Sequence, residues 1–278
     1  MTSYQSYCGA LFAPEYLEAN PFGYKFSWSP IGVLKALRNS ATFLNNNQIV
    51  IIPQKNVLHS ARPFPGNDIL RLISYPNRNS VPYKQVYGLE GCSTVIRGTI
   101  RYQGFCEILA GFNDLGLLED SPVPPSVSSW PDLLQRVLSG RKKISKTSHF
   151  DKLYKILMEE FNLNKASLKI DFRKLIQALT FHEVFSTLSF ERCLEKLRKV
   201  FEGMQFLEML SDSSKISKEK GNRPVIEVLC DKMKEKLSAK ENDRDLVIMV
   251  HYLAAEFPGN KKGRQVRSSN TQNTLKVR

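Results

Sequence analysis

The feature that most limits the fold of this chain is where its strand-like texture stops and where it resumes. Residues 1–122 mix short β-rich runs with turn residues. Residues 130–240 carry apolar positions at helical spacing, and a strand-like run returns at Asp245. A strand leaves backbone donors and acceptors open on both edges, so one that follows a helical block is most economically satisfied by rejoining the earlier sheet. The expected class is therefore α+β. A mixed β-sheet domain is built from residues 1–122 and 243–268, residues 130–240 form an inserted α-helical domain, and the polar residues 269–278 read as a disordered tail.

Within the first region the strand-like runs are residues 3–8, 49–53, 69–75 and 94–102. Turn clusters such as residues 45–47 and 65–67 separate them. Ser29 followed by Pro30 reads as the N-cap and first residue of a helix through Val33, Leu34 and Leu37. A second helix is expected over residues 103–115, stopped by Gly116. The proline-rich segment 120–129 is a linker whose Ser129 caps a helix carrying Pro131 and Asp132 in its first turn. Phe150, Leu153, Leu157 and Met158 lie on one helical face, as do Cys193, Leu194, Leu197, Val200 and Phe201, and Val225, Val228, Leu229, Met233 and Leu237. Residues 245–257 read as one long strand, 258–263 as a turn and 264–268 as a returning strand.

The formal charge of +13 raises the question of an anionic partner. The basic runs 141–143 and 261–264 are short and framed by no nucleic-acid-binding signature, so they read as solvated surface and no nucleic-acid partner is expected. No apolar run is long enough to cross a bilayer. Five cysteines, an odd number with no CxxC spacing, argue against a disulfide framework. The start resembles neither a secretory nor a transit peptide, and a cytoplasmic location is expected over the mitochondrial matrix. There is no GxGxxG and no P-loop. His59, His149, His182 and His251 stand far apart along the chain and in no metal-ligand spacing, so no metal is expected. Cys106 and Cys193 sit on apolar helix faces and read as packing residues.

A small anion is the more economical partner for the N-terminal half. Arg78, Arg97 and Arg101 offer guanidinium forks that match a carboxylate. Trp28, just before a helix start, can stack on a flat ring, and the Cys8 thiol can face a cleft. Each also has an ordinary reading, as an ion-pair arginine, a core tryptophan or a small buried hydrophobe.

Taken together, the stretches SYCGALFAPE (6–15), NPFGYKFSWSPIGVLKALRNSA (20–41), FPGNDILRLISYPNR (64–78) and TVIRGTIRYQGF (94–105) resemble, in order and spacing, the saccharopine dehydrogenase family of the glutamate-forming, saccharopine-reductase type. The resemblance is strong over residues 3–118, weaker through the helical block, and returns at residues 243–251. It implies an oxidoreductase of lysine metabolism that interconverts saccharopine with aminoadipate semialdehyde plus glutamate using NADP(H). It also implies a three-part architecture: a Rossmann domain for the cofactor, a mixed-sheet domain that binds substrate and forms a homodimer, and a helical insertion. Carried over by motif, Arg78, Thr99, Ile100 and Arg101 would grip substrate carboxylates, the last three from a turn. Gly9 would allow close backbone approach, Cys8 would sit beside the reacting carbon as the catalytic residue, and Trp28 would face the cofactor. The family's cofactor domain and its Asp-Pro-Gly turn belong before Ser3 and are not found here, so NADP is expected to be held mainly by a separate domain. Ala10, Phe12 and Asn79 replace a glycine, a proline and an aspartate of the pattern. The other reading is a non-catalytic, truncated remnant that binds a ligand or a partner.

Overall fold

The computed structural model describes residues 1–17, 19–65, 69–139, 149–163, 170–216 and 222–256. In chain order the elements of the first region are β1 (Ser3–Phe12), α1 (Pro30–Ala36), β2 (Ala41–Asn45), β3 (Gln48–Ile52), α2 (Gln54–Val57), β4 (Arg62–Pro63), β5 (Leu72–Pro76), α3 (Tyr83–Val86), β6 (Thr94–Tyr102) and α4 (Phe105–Asp114). Then come α5 (Trp130–Ser139), α6 (Phe150–Glu160), α7 (Phe172–Leu179), α8 (Phe190–Phe206), α9 (Val225–Leu237) and finally β7 (Asp245–Ala254).

The class is α+β with a mixed sheet of order β3-β2-β6-β1-β7. β5 is laid along the second half of β6, and β4 along β5. β1 runs parallel to β6, from Ser3 opposite Thr94 to Cys8 opposite Thr99. On its other side β1 is antiparallel to β7 over its whole length, Ser3 opposite Ala254 and Phe12 opposite Asp245. That second ladder is why β1 continues to Phe12 instead of stopping at Cys8: residues 9–12 find their partners in β7. Phe257, the turn 258–263, the returning strand 264–268 and the tail 269–278 lie outside the described residues.

β2 was not expected. It is half of a two-residue hairpin in which Asn46 (φ 48°) and Asn47 (φ 64°) both take left-handed backbone. That pair of dihedrals gives the tight turn whose twist matches a β-hairpin, and asparagine tolerates it better than most residues. A five-residue run directly after a helix has little periodicity of its own, so only its partner makes it a strand.

Several local signals are realised as expected. The Ser29 hydroxyl accepts from the Gly32 N–H at 3.3 Å ahead of Pro30. Gly116 (φ 77°) follows α4. Ser129 accepts from the Asp132 N–H at 3.3 Å and donates to its carboxylate at 2.7 Å. Cys106 and Cys193 are buried.

The sheet carries a core on each face. A small one gathers Leu11, Phe64, Leu72, Ile100, Tyr102 and Val250. The large one begins at Ile73 and Tyr75 and runs without a break through Leu109 and Phe112 to Trp130, Phe201 and Met233, so sheet and helices share it. The link is α4. It leaves β6 at Gly104, where φ is 106°, and the Glu107 carboxylate accepts the Gly104 N–H at 3.0 Å. α4 then crosses α8 through two glycines. A Cβ on Gly111 would lie 2.5 Å from Val200, and one on Gly203 would lie 2.5 Å from Ile108.

A side chain at Gly104 is excluded twice, by its backbone angle and because its Cβ would collide with the Pro21 carbonyl oxygen. Gly104→Ala is therefore expected to cost about 3 kcal/mol or more, read as a lowered denaturation midpoint in urea. A cost under about 1 kcal/mol would mean the β6–α4 corner is not held as described.

Candidate functional site

The site is built on the sheet face shared by β1, β5 and β6. Cys8, Thr99 and Tyr75 lie opposite one another on the three neighbouring strands, and Arg101 is opposite Ile73 two residues further along. Because strand side chains alternate, residues at i and i+2 share a face. A cavity of ≈ 210 Å³ opens there, lined among others by Trp28, Val57, Tyr75, Arg78, Thr99 and Arg101.

Two tethers hold Arg78 at the rim. Its carbonyl accepts the Thr42 N–H at 2.8 Å, and Asn77 N–H donates to the Arg97 carbonyl at 2.9 Å. The turn that carries it is locked further by buried Ser80, whose hydroxyl accepts the Arg97 N–H at 2.9 Å. Arg78 itself takes left-handed backbone (φ 53°) and its side chain is exposed. Trp28 is 52% exposed and its ring lies over Gly32 at the first turn of α1.

Arg101 is different in kind. It is only 9% exposed. One guanidinium nitrogen donates to its own residue's neighbour, the Ile100 carbonyl, at 3.0 Å. Nε has no partner, and among the described residues no carboxylate pairs with it. In place of an anion it has two aromatic rings, Tyr24 and Phe105, each centred 5.3 Å from its central carbon. Facing rings offer a cation roughly 1–2 kcal/mol each once water is excluded, well short of the several kcal/mol that burial of an ion costs.

Among the described residues, nothing titratable around Arg101 supplies the missing negative charge. Burial pushes the Tyr75 phenol far above its ordinary value, although Arg101 pulls the other way. Burial raises Tyr24 as well, again against Arg101. The Cys8 thiol is exposed at the sheet surface yet also raised, chiefly by partial desolvation, with Arg101 opposing. At neutral pH all three are protonated, so Cys8 is a thiol that can hold a proton and not a ready thiolate nucleophile.

Of the residues expected at the site, Trp28, Arg78, Thr99 and Arg101 line one cavity, and Cys8 shares their sheet face one strand away. Two belong elsewhere. Residues 99–101 are strand, not turn, so the Ile100 side chain points to the opposite face and is fully buried beside Leu11 and Val250. Gly9 also lies on that face, where a Cβ would stand 2.9 Å from Ile100 Cβ. Its close approach is to a neighbouring strand. Arg97 stacks on Tyr83, 3.9 Å from the ring centre. The sequence reading missed Tyr24 and Tyr75, although both stand inside the stretches NPFGYKF and SYPNR. It also missed a contact between His59 and His182, whose rings stack at 3.8 Å.

A family model described as the saccharopine dehydrogenase C-terminal domain matches residues 1–276. The chain is 32% identical over 273 residues to a saccharopine dehydrogenase (NADP(+), L-glutamate-forming) of Pyricularia oryzae, covering 96% of this chain and 51% of the relative. It is 33% identical over 269 residues to the protein of the same name in Schizosaccharomyces pombe, covering 94% and 50%. Over 141 residues, 48% of this chain and 15% of the relative, it is 43% identical to a mitochondrial alpha-aminoadipic semialdehyde synthase of Bos taurus. Among solved structures, apo saccharopine dehydrogenase (L-Glu forming) from Saccharomyces cerevisiae superposes with a TM-score of 0.67 at 30% identity, covering 91% of this chain and 49% of that one. The chain thus spans about half the length of the curated fungal relatives it matches.

An unpaired buried cation predicts an unusual stability response. Arg101→Met keeps the length of the side chain and removes the charge, so the melting temperature is expected to stay level or rise by a few degrees. Lys25→Met should do the opposite, because it takes from the Asp243 carboxylate the cation held at 2.8 Å and leaves it only the Lys240 N–H, at a cost of about 1–3 kcal/mol. A marked loss of stability in Arg101→Met would mean that Arg101 has a structural counter-ion.

Proposed function

The chain belongs to the family of saccharopine dehydrogenase C-terminal domains, and we propose that it supplies the substrate-binding part of an oxidoreductase that interconverts saccharopine with aminoadipate semialdehyde and glutamate. The observation that carries this reading is Arg101, a buried guanidinium with a free Nε, open to a cavity that also holds Arg78. Saccharopine bears three carboxylates, and a planar fork of donors is the group that pairs with a carboxylate in two bonds.

The cavity is smaller than the roughly 300–1,000 Å³ usual for a whole ligand. It suits one carboxylate arm, held between Arg101 inside and Arg78 at the rim, with Thr99 beside them. The remainder of the substrate then lies across the open sheet surface toward Cys8, whose protonated thiol faces the reacting amine. Trp28 closes the same side and is placed to cover a flat ring. In this reading residues 130–240 are an inserted helical unit, the sheet forms the homodimer, and the protein works in the cytosol, a placement that rests on cysteine usage.

The described residues do not fit the cofactor's pyrophosphate. That group needs a glycine-rich turn opening a helix whose first N–H groups are free. At the turn after β6, the Gly104 N–H is already taken by the Glu107 carboxylate. α1 opens with Pro30, which has no N–H, and the Gly32 N–H is capped by Ser29. We therefore assign NADP to the half of the relatives that this chain does not span. NADPH titrated into this chain alone is expected to give no saturable fluorescence change at micromolar concentration, and a micromolar Kd would reject that assignment.

The direct test is calorimetric titration of saccharopine into the chain supplied with the nucleotide-binding half of a fungal relative in trans. Arg78→Ala should weaken binding by about 1.5–3 kcal/mol, roughly tenfold to a hundredfold, through loss of a charge-assisted contact. Arg78→Lys should recover part of that, since charge returns without the fork. Equal affinities for wild type and both variants would make Arg78 a bystander.

A further inference from the structure

His59 and His182 stack with ring centres 3.8 Å apart and planes 24° apart. His59 sits in the turn Leu58–Ser60 that continues α2, and His182 opens the turn Glu183–Thr187 of the helical block. His59 Nε2 meets the Asp114 carboxylate at 3.0 and 3.3 Å, and both side chains are almost fully buried. Both nitrogens of His182 are engaged. Nδ1 accepts the Val184 N–H at 3.2 Å, and Nε2 faces the Asn56 side-chain oxygen at 3.2 Å. The second face of Asn56 donates to Glu183 at 3.0 Å. Since Nδ1 accepts and Nε2 donates, the network assigns a neutral ring with its one proton on Nε2.

His59, Asp114 and His182 offer three ligand atoms within 4.8 Å. Near-parallel rings cannot both aim an in-plane lone pair at one ion about 2 Å away. The stacked arrangement is built to sense a proton instead.

We propose that neutral His182 is a pin that fastens the turn 183–187 to the segment 54–60, and that taking up a second proton withdraws it. The only site for that proton is Nδ1. Protonation there sets a donor against the Val184 N–H and destroys the cap on the turn. It also places a positive ring 3.8 Å from His59.

The surrounding charges divide. Asp114 at the end of α4 and Glu183 on the turn favour the proton, while His59 and Lys55 of α2 oppose it. Arg62 is held on the His59 and Ala61 carbonyls at 3.4 and 3.0 Å. Burial first, and His59 second, hold His182 below the ordinary histidine value. The unfolded chain has no such restraint, so below about pH 6.5 it binds more protons than the folded one. Stability from the pin is complete above that pH and is lost as the pH falls toward the folded-state value. The consequence reaches the cavity, because Val57, two residues before His59, lines its wall. The inference rests on side-chain geometry and stands whether or not the proposed activity holds.

The test compares wild type with His182→Asn, whose side-chain oxygen can cap the Val184 N–H as Nδ1 does, without titrating. Between pH 7.5 and pH 5.5 the wild-type melting temperature is expected to fall by about 2 °C or more beyond the fall in the variant. In wild type alone, which needs no variant to fold, the His182 ring resonance should titrate below pH 6.5. Parallel melting curves, or titration at or above pH 6.5, overturn the proposal. So does a zinc-induced rise in the wild-type melting temperature that His182→Asn lacks, since that would make the trio a metal site.

Discussion

The ladder between β1 and β7 is the constraint from which the rest of the structure hangs. It joins Ser3 to Ala254 and Phe12 to Asp245, and it is extended at both ends by Thr2 N–H on the Ala254 carbonyl at 2.7 Å and Ala13 N–H on the Arg244 carbonyl at 2.9 Å. Closing so long a segment costs entropy, but that cost grows only with the logarithm of length. Ten paired residues and the burial of Leu11, Ile100 and Val250 together on one face of the sheet offset it. With the ladder formed, β1 has a partner on each side and its face is fixed, which sets Cys8 beside Thr99. The return from α9 to β7 then ties down the segment carrying Tyr24: Phe26 N–H meets the Leu237 carbonyl at 2.7 Å and Lys25 pairs with buried Asp243.

That segment matters because Tyr24 is half of what keeps Arg101 tolerable in the interior. A buried guanidinium is normally paired with a carboxylate, and pairing would abolish its pull on an incoming anion. Here the cation is met by two ring faces and by phenols and thiols that burial keeps protonated. Its positive field in the cavity is left for a ligand to answer, which is the physical content of the proposed carboxylate binding. In that reading the arrangement sacrifices some stability for a charged site, as functional positions commonly do.

The helical block is coupled to this site at two places. The chain turns at Gly104, α4 starts four residues after Arg101, and its Gly111 is seated against α8 in a crossing too close for any larger residue. At its far end Asp114 holds His59, and His59 stacks on His182 of the helical block. Through Val57 the same segment forms part of the cavity wall. The helices and the arginine cavity are thereby joined by packed side chains.

Features decided by neighbours in the chain were legible in advance. Ser29 with Pro30, Ser129 with Asp132, and Gly116 act on backbone groups a few residues away, so their pattern in the sequence already contains the interaction. The same holds for the apolar faces that became core, and for arginine as the chemical choice for a carboxylate. What the sequence could not determine is which long-range partner each element meets. β2 is a strand because Asn46 and Asn47 fold it onto β3 and its other edge meets β6, and Ile100 and Gly9 leave the site because a strand alternates its faces where a turn would not. Tyr24 comes to flank Arg101, and His59 comes to lie on His182, through packing between segments remote in the chain. Local propensity carries no information about such contacts. They are chosen by the burial and hydrogen bonding of the whole fold, and so the charge and composition of the site were written in the sequence while its geometry was decided only by the tertiary structure.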